Sequence, residues 1–154
     1  MSKLTIRGKS YFRIKNKIFH LNGKLAYDCW LDKTKSLPNG KGEYYDEKHH
    51  IKYVGNFKDG ILNGYARVYF VKDNRLWVEG IFKNFKRNDI CTVYSLQNKK
   101  SSKCTYVDGI KHGYGFVWDI TGRLVFKGMW QNGQPIIDES TPLLYSKEQL
   151  IMYP

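Results

Sequence analysis

The stretch Tyr53-Val54-Gly55-Asn56-Phe57-Lys58-Asp59-Gly60-Ile61-Leu62-Asn63-Gly64 comes back in altered form at a spacing of 24 or 25 residues. Phe57 is answered by Phe82, Tyr106 and Trp130, and Gly60 by Phe85, Gly109 and Gly133. The second half of the unit keeps the same step at Tyr45, Tyr69, Tyr94 and Trp118. A fixed period of this size belongs to stacked-repeat architectures, in which each unit buries its apolar face against its neighbours. The fold therefore reduces to the shape of one unit.

Glycine follows Asn or Asp at Asn22-Gly23, Asn39-Gly40, Asp59-Gly60, Asn63-Gly64, Asp108-Gly109 and Asn132-Gly133. Such pairs favour the positive φ values of two-residue hairpin turns. Between them lie short runs of aromatic and β-branched residues, too short for helices. The unit reads as a strand over residues 52–58, a turn over 59–62 and a second strand over 65–71. Gly55, Gly80 and Gly128 fall inside first strands, where glycine implies close packing rather than a turn. Gly60, Gly64, Gly109, Gly113, Gly115 and Gly133 are the remaining turn or packing glycines of the frame. The expected fold is all-β: one elongated, twisted antiparallel sheet of consecutive hairpins, with a short C-terminal helix or capping tail. Phe57, Phe82, Tyr106 and Trp130 are expected to form a ladder across it.

The frame divides the chain into three parts. Residues 1–26 form basic strands or a cap, with a turn at Asn22-Gly23. Residues 27–137 form the array, in about five units whose first carries two extra residues near Pro38 and whose last breaks at Pro135. Residues 138–154 form a capping or docking tail. There Thr141-Pro142 reads as a helix start, and Ser146 with Gln149 as a capping box. Leu143, Leu144, Tyr145, Leu150, Ile151 and Met152 are its candidate contact residues.

Composition narrows the function classes. Twelve tyrosines, eight phenylalanines and four tryptophans supply the apolar bulk, which favours strands. No apolar run reaches the roughly 18 residues of a membrane span, and the N-terminus lacks the apolar core of a signal peptide. An intracellular, cytoplasmic protein is expected. Cys29, Cys91 and Cys104 are odd in number and form no Cys-x-x-Cys pair. In the frame they occupy small-residue positions, so they read as buried thiols, with a redox or metal role as the alternative. The net charge of +12 is uneven. No acid precedes Asp28, and Lys83, Lys86, Arg87, Lys99, Lys100 and Lys103 face Asp89 alone. Such fields attract polyanions, while lysine also keeps strand edges from aggregating.

These motifs resemble the MORN repeat (membrane occupation and recognition nexus). The resemblance rests on Tyr-x-Gly-x-Phe-x-x-Gly-x-x-x-Gly at residues 53–64, Gly80-x-Phe82, Gly109-x-x-x-Gly113-x-Gly115 and Phe126-x-Gly128-x-Trp130-x-x-Gly133. Hairpin repeats of bacterial antitoxin-like proteins are similar too. Phe85 and Asp89 depart from the pattern by replacing glycines, and Ser102 and Cys104 by replacing the opening Tyr and Gly. The resemblance implies a long sheet of hairpins used for scaffolding, dimerisation or adaptor binding.

No catalytic constellation stands out. His49-His50 reads as a solvated loop, Ser101-Ser102 has no neighbouring base, and no lysine and helix follow the glycines as in a phosphate loop. No cofactor or metal site is expected. The expected function is a non-enzymatic binding or scaffold module for a protein partner, with self-association through an open edge strand. Phe70, Trp77, Phe85 and Phe116 are candidate anchors, with a place in the core as the alternative for each. The alternative is a polyanion-binding protein, for an anionic membrane surface or nucleic acid, using the basic N-terminal region and residues 83–103.

Overall fold

The computed structural model describes the chain except Lys33, Lys35, Ser36, Glu139, Ser140, Pro142 and Leu143. Among the described residues, thirteen antiparallel strands follow one another in chain order in a single open sheet. They are β1 (Ser2–Ile6), β2 (Lys9–Ile14), β3 (Lys17–His20), β4 (Leu25–Leu31), β5 (Pro38–Asp46), β6 (Ile51–Lys58) and β7 (Ile61–Phe70). Then come β8 (Leu76–Lys83), β9 (Lys86–Tyr94), β10 (Lys100–Val107), β11 (Ile110–Trp118), β12 (Leu124–Gln131) and β13 (Gln134–Pro135). One helix follows among the described residues, α1 (Lys147–Ile151). The expected sheet of consecutive hairpins is the observed one. β4 runs through residues 26 and 27, so the sheet is continuous across the boundary drawn there.

Four hairpins of the array share one turn geometry, with positive φ at both central residues: Asp59-Gly60, Asn84-Phe85, Asp108-Gly109 and Asn132-Gly133, and Arg7-Gly8 in the N-terminal hairpin takes it too. This is the turn whose twist matches paired strands. Phe85 adopts φ 64 where the other units have glycine, a conformation costing roughly 1–2 kcal/mol for a residue with a Cβ. A hydrogen bond links each of the four array turns to the hairpin before it. The N–H groups of Gly60, Phe85, Gly109 and Gly133 donate to the carbonyls of Pro38, Leu62, Arg87 and Lys111, at 2.9, 3.3, 2.8 and 2.8 Å.

Asn39-Gly40 and Asn63-Gly64 are not turns, contrary to the reading of every Asn-Gly as one, and Gly113 is likewise within a strand. Each lies in a bulge. Residues 63–65 stand opposite Asn56 alone, and residues 39–41, 88–90 and 112–114 repeat the pattern opposite Trp30, Ile81 and Thr105. The positive-φ residue of each bulge is Gly40, Gly64, Asp89 or Gly113. These four pair with Phe57, Phe82, Tyr106 and Trp130 on the following strand. The bulges give the sheet its extra bend, as extra residues in one strand do. The four rings are at most 4% exposed. They occupy alternate strands and are separated by the bulges, so they form a column without stacking on one another.

A row of small residues crosses nine strands in register: Cys29, Gly42, Gly55, Ala66, Gly80, Cys91, Cys104, Gly115 and Gly128. A Cβ built on Gly42 would lie 2.0 Å from that of Cys29, so the sheet bends inward along this row. The three cysteines are free and buried, in agreement with the frame. Inward bending brings distant strands together. Arg7, in the β1–β2 turn, stacks its guanidinium on Phe85, in the β8–β9 turn. In a flat sheet, seven strand spacings would hold those turns about 33 Å apart. The inner face thus forms a groove. The N-terminal hairpin covers one part of it through Ile6, packed on Gly60. The tail covers another through Leu150, which is fully buried.

The helix begins at Lys147, later than Thr141-Pro142 suggested. Ser146 caps it, and the expected capping box with Gln149 is complete. The Thr141 hydroxyl instead bonds the Asp138 carboxylate, and Pro142 lies outside the described residues.

Candidate functional site

Between those two covers, the inner face leaves a cleft of about 150 Å³ lined chiefly by Tyr53, Trp77, Phe82, Phe85, Lys86 and Arg87. Strand alternation puts Tyr53 and Phe82 on the inner face, and the bulge at Trp77 turns that ring inward as well. Phe85 is the hub. Its ring lies 5.1 Å from that of Tyr44, 5.3 Å from Tyr53 and 6.2 Å from Phe57. The departure that marks Phe85 in the sequence therefore supplies the floor of the cleft. A larger hollow, about 530 Å³, opens between loops around Asp73, Asn74 and Asn98 at the opposite strand ends. It gathers no comparable aromatic floor.

Cations rim the cleft. Arg7 covers Phe85 at 4.5 Å, and Arg87 covers the Tyr106 ring at 4.5 Å while donating to its hydroxyl. No ion pair joins Arg7, Lys86 or Arg87 to a carboxylate among the described residues. The acid-free N-terminus and the 83–87 hairpin, far apart in sequence, meet here. The remaining lysines of the 83–103 segment do not join them. β9 carries the chain some 27 Å to the other end of the sheet, leaving Lys99 and Lys100 there and Lys103 on the outer face. Lys83 is exposed beside Lys86 in the hairpin. The two ends of the basic 83–103 segment are thus held apart by the strand that connects them.

Arg87 belongs to a column at one position of the repeat whose residue types share no pattern in the sequence: Leu62, Arg87, Lys111 and Pro135. Each pairs with a ring of the column, respectively Phe57, Phe82, Tyr106 and Trp130. Lys111 is 7% exposed, and its ammonium group lies 4.5 Å from the centre of the Trp130 ring. Burial pushes its pKa down to about 8, with Arg87 adding to the shift and Cys104 opposing it. Its ammonium donates to the main-chain oxygen of Tyr153. One strand away, the Ser102 hydroxyl donates to the main-chain oxygen of Pro154 at 2.6 Å. The tail is therefore laid across the groove and held by its backbone oxygens.

The other candidates are dispersed. Phe70 and Trp77 pack with tilted rings 5.5 Å apart on the inner face, partly buried, with Arg75 over Phe70. Phe116 lies on the outer face between Tyr114 and Trp118. Gly55, Gly80, Gly115 and Gly128 stand in the small-residue row, Gly60, Gly109 and Gly133 in turns, and Gly64 and Gly113 in bulges. In the tail, Leu150 is buried and Tyr145 packs against the core. Leu144, Ile151 and Met152 face solvent, contrary to their reading as one apolar side, and Leu143 lies outside the described residues. A five-residue helix presents room for a single inward apolar residue. No group of three or more metal-ligating side chains gathers among the described residues.

Burial raises the pKa of Tyr53 and Tyr106 to about 12, of Cys29 to about 12 and of Cys91 to about 11. No helix among the described residues is long and apolar enough to cross a membrane. No model of a protein family matches the chain, and no curated protein matches it either.

Proposed function

We propose that this chain is a MORN-type binding module that captures an extended, acidic segment of a partner protein in its inner groove. One observation carries the reading: the chain already lays its own backbone across that groove, with oxygens taken by Ser102 and Lys111. One hairpin away, Arg87 stands at the register position of Lys111, beside an aromatic floor and without a carboxylate partner among the described residues. Cations gathered without counter-charge favour an acidic occupant. Aromatic rings supply contact area at small entropic cost. Binding rather than catalysis also fits the buried tyrosines and thiols. Burial moves the tyrosines and thiols away from neutral pH, which makes them poorer acid-base groups and nucleophiles.

The test is selection of peptides from a random display library on the full chain. Acidic sequences containing an aromatic residue should be enriched, and Arg87→Glu should abolish their binding. Peptides that bind equally well to Arg87→Glu would overturn the groove as the site. Retention of heparin or DNA by Arg87 with no peptide selected would favour the polyanion alternative.

A further inference from the structure

We infer that the recess formed by Ser102, Lys111 and Trp130 is a second subsite of the groove. It takes the main-chain oxygens of an extended peptide and is filled at rest by residues 146–154 of the same chain. An incoming segment displaces that tail. The inference rests on the groove being a peptide site, and it adds a place and a competitor.

Three features support it. First, Lys111 repeats the position of Arg87 one unit on, and each lays its cation on the ring of the following strand at 4.5 Å. The recess and the open cleft are thus two copies of one arrangement, one covered and one not. Second, Lys111 is a buried cation with no ion pair to a carboxylate among the described residues. The backbone oxygen of Tyr153 is its hydrogen-bond partner, so whatever covers Lys111 must bring an acceptor. The buried indole N–H of Trp130, beneath it, has no acceptor among the described residues. An occupant offering one acceptor more than the tail would suit the recess better. Third, the tail has few fully buried side chains to anchor it, with Tyr145 and Tyr153 only partly buried against the core. Its helix has five residues, too few to persist unaided, and Leu150 is the residue it buries fully. Leu144 and Met152 remain exposed.

The probe is a fluorescent synthetic peptide with the sequence of residues 144–154, added to the full chain. In Leu150→Asp the resident tail should be dislodged, and the peptide should bind it at least tenfold more tightly than wild type. Adding Lys111→Met to Leu150→Asp should remove that binding. Equal affinity for wild type and Leu150→Asp, or no dependence on Lys111, overturns the inference. Hydrogen exchange in the wild type provides a check should Leu150→Asp fail to fold. Amides of residues 149–153 should exchange at least a hundredfold faster than those of β10 and β11, and equal protection would mean the tail is fixed core. Binding of the 144–154 peptide without selection of any acidic peptide would keep the subsite and discard the proposed partner. The reverse result would keep the partner and discard the subsite.

Discussion

The guanidinium carbon of Arg7 lies 4.5 Å from the centre of the Phe85 ring, across seven strand spacings of the same sheet. This contact reports the roll of the sheet, because a flat one would separate the two residues by about 33 Å. A double-mutant cycle with Arg7→Ala and Phe85→Leu should give a coupling of about 0.5–2 kcal/mol in urea denaturation. Additive effects would mean that the N-terminal hairpin does not close over the groove in solution.

Gly60 and Gly64 both hold positive φ, at 77° and 92°, but their surroundings differ. A Cβ on Gly60 would meet Ile6 at 2.4 Å, whereas Gly64 faces open space. Gly64→Ala should cost about 1–2 kcal/mol for the backbone alone. Gly60→Ala should cost roughly 1–3 kcal/mol more, since overpacking is added to the same strain. Thermal unfolding of the two variants side by side measures the difference.

Gly109→Val and Lys99→Ala test the repeat frame in the same way. Gly109 holds φ 90, which a β-branched residue adopts poorly, so its substitution should lower the denaturation midpoint strongly. Lys99 is exposed and reaches the Ile120 carbonyl only at 3.4 Å, so its removal should change stability by less than about 0.5 kcal/mol.

Lys111 predicts a rise of stability with pH. Its pKa falls from 10.5 in the unfolded chain to about 8 in the fold. Between those values the unfolded chain holds a proton that the folded chain has released, so raising the pH favours folding. Below about 8 both states are protonated and the penalty for burying the charge stands in full. Above 9.0 the unfolded chain ionises Cys29 and Cys91, which burial keeps protonated in the fold, and stability is drawn down again. The denaturation midpoint of the wild type should therefore climb between about pH 8 and 9. Lys111→Met should be flat over that interval, and a parallel climb would assign the effect to another group.

The three thiols should be silent towards a disulfide reagent such as Ellman's in the native state. Cys91 and Cys104 are at most 1% exposed and Cys29 is 7% exposed, and burial raises the pKa of all three. Three equivalents should react after denaturation. Reaction of one thiol in the folded protein would show that the small-residue row opens.

The strands, the turns at Asp59-Gly60, Asp108-Gly109 and Asn132-Gly133 and the buried column of rings were legible because each depends on residues close in sequence, whereas the turn at Asn84-Phe85 lacks the glycine that would mark it. Asn-Gly proved ambiguous for a physical reason: positive φ serves a bulge as well as a turn. Asn63-Gly64 and Asp59-Gly60 are distinguished only by which residue lies opposite. The capping box of Ser146 and Gln149 was legible, whereas the inward role of Leu150 and the exposure of Leu144 were not. A short helix does not declare which side will meet a sheet formed up to fifty residues earlier.

The sequence by itself determined the repeat, its pairing order and the small-residue positions, since turn preference and strand alternation act over a few residues. Only the tertiary structure decided that the sheet rolls, that Arg7 reaches Phe85, and that the basic segment 83–103 is split between two ends and two faces. It alone set Lys111 and Ser102 beneath the tail. Those relationships depend on curvature accumulated over many strands, and curvature arises from packing across the whole inner face rather than from any single unit.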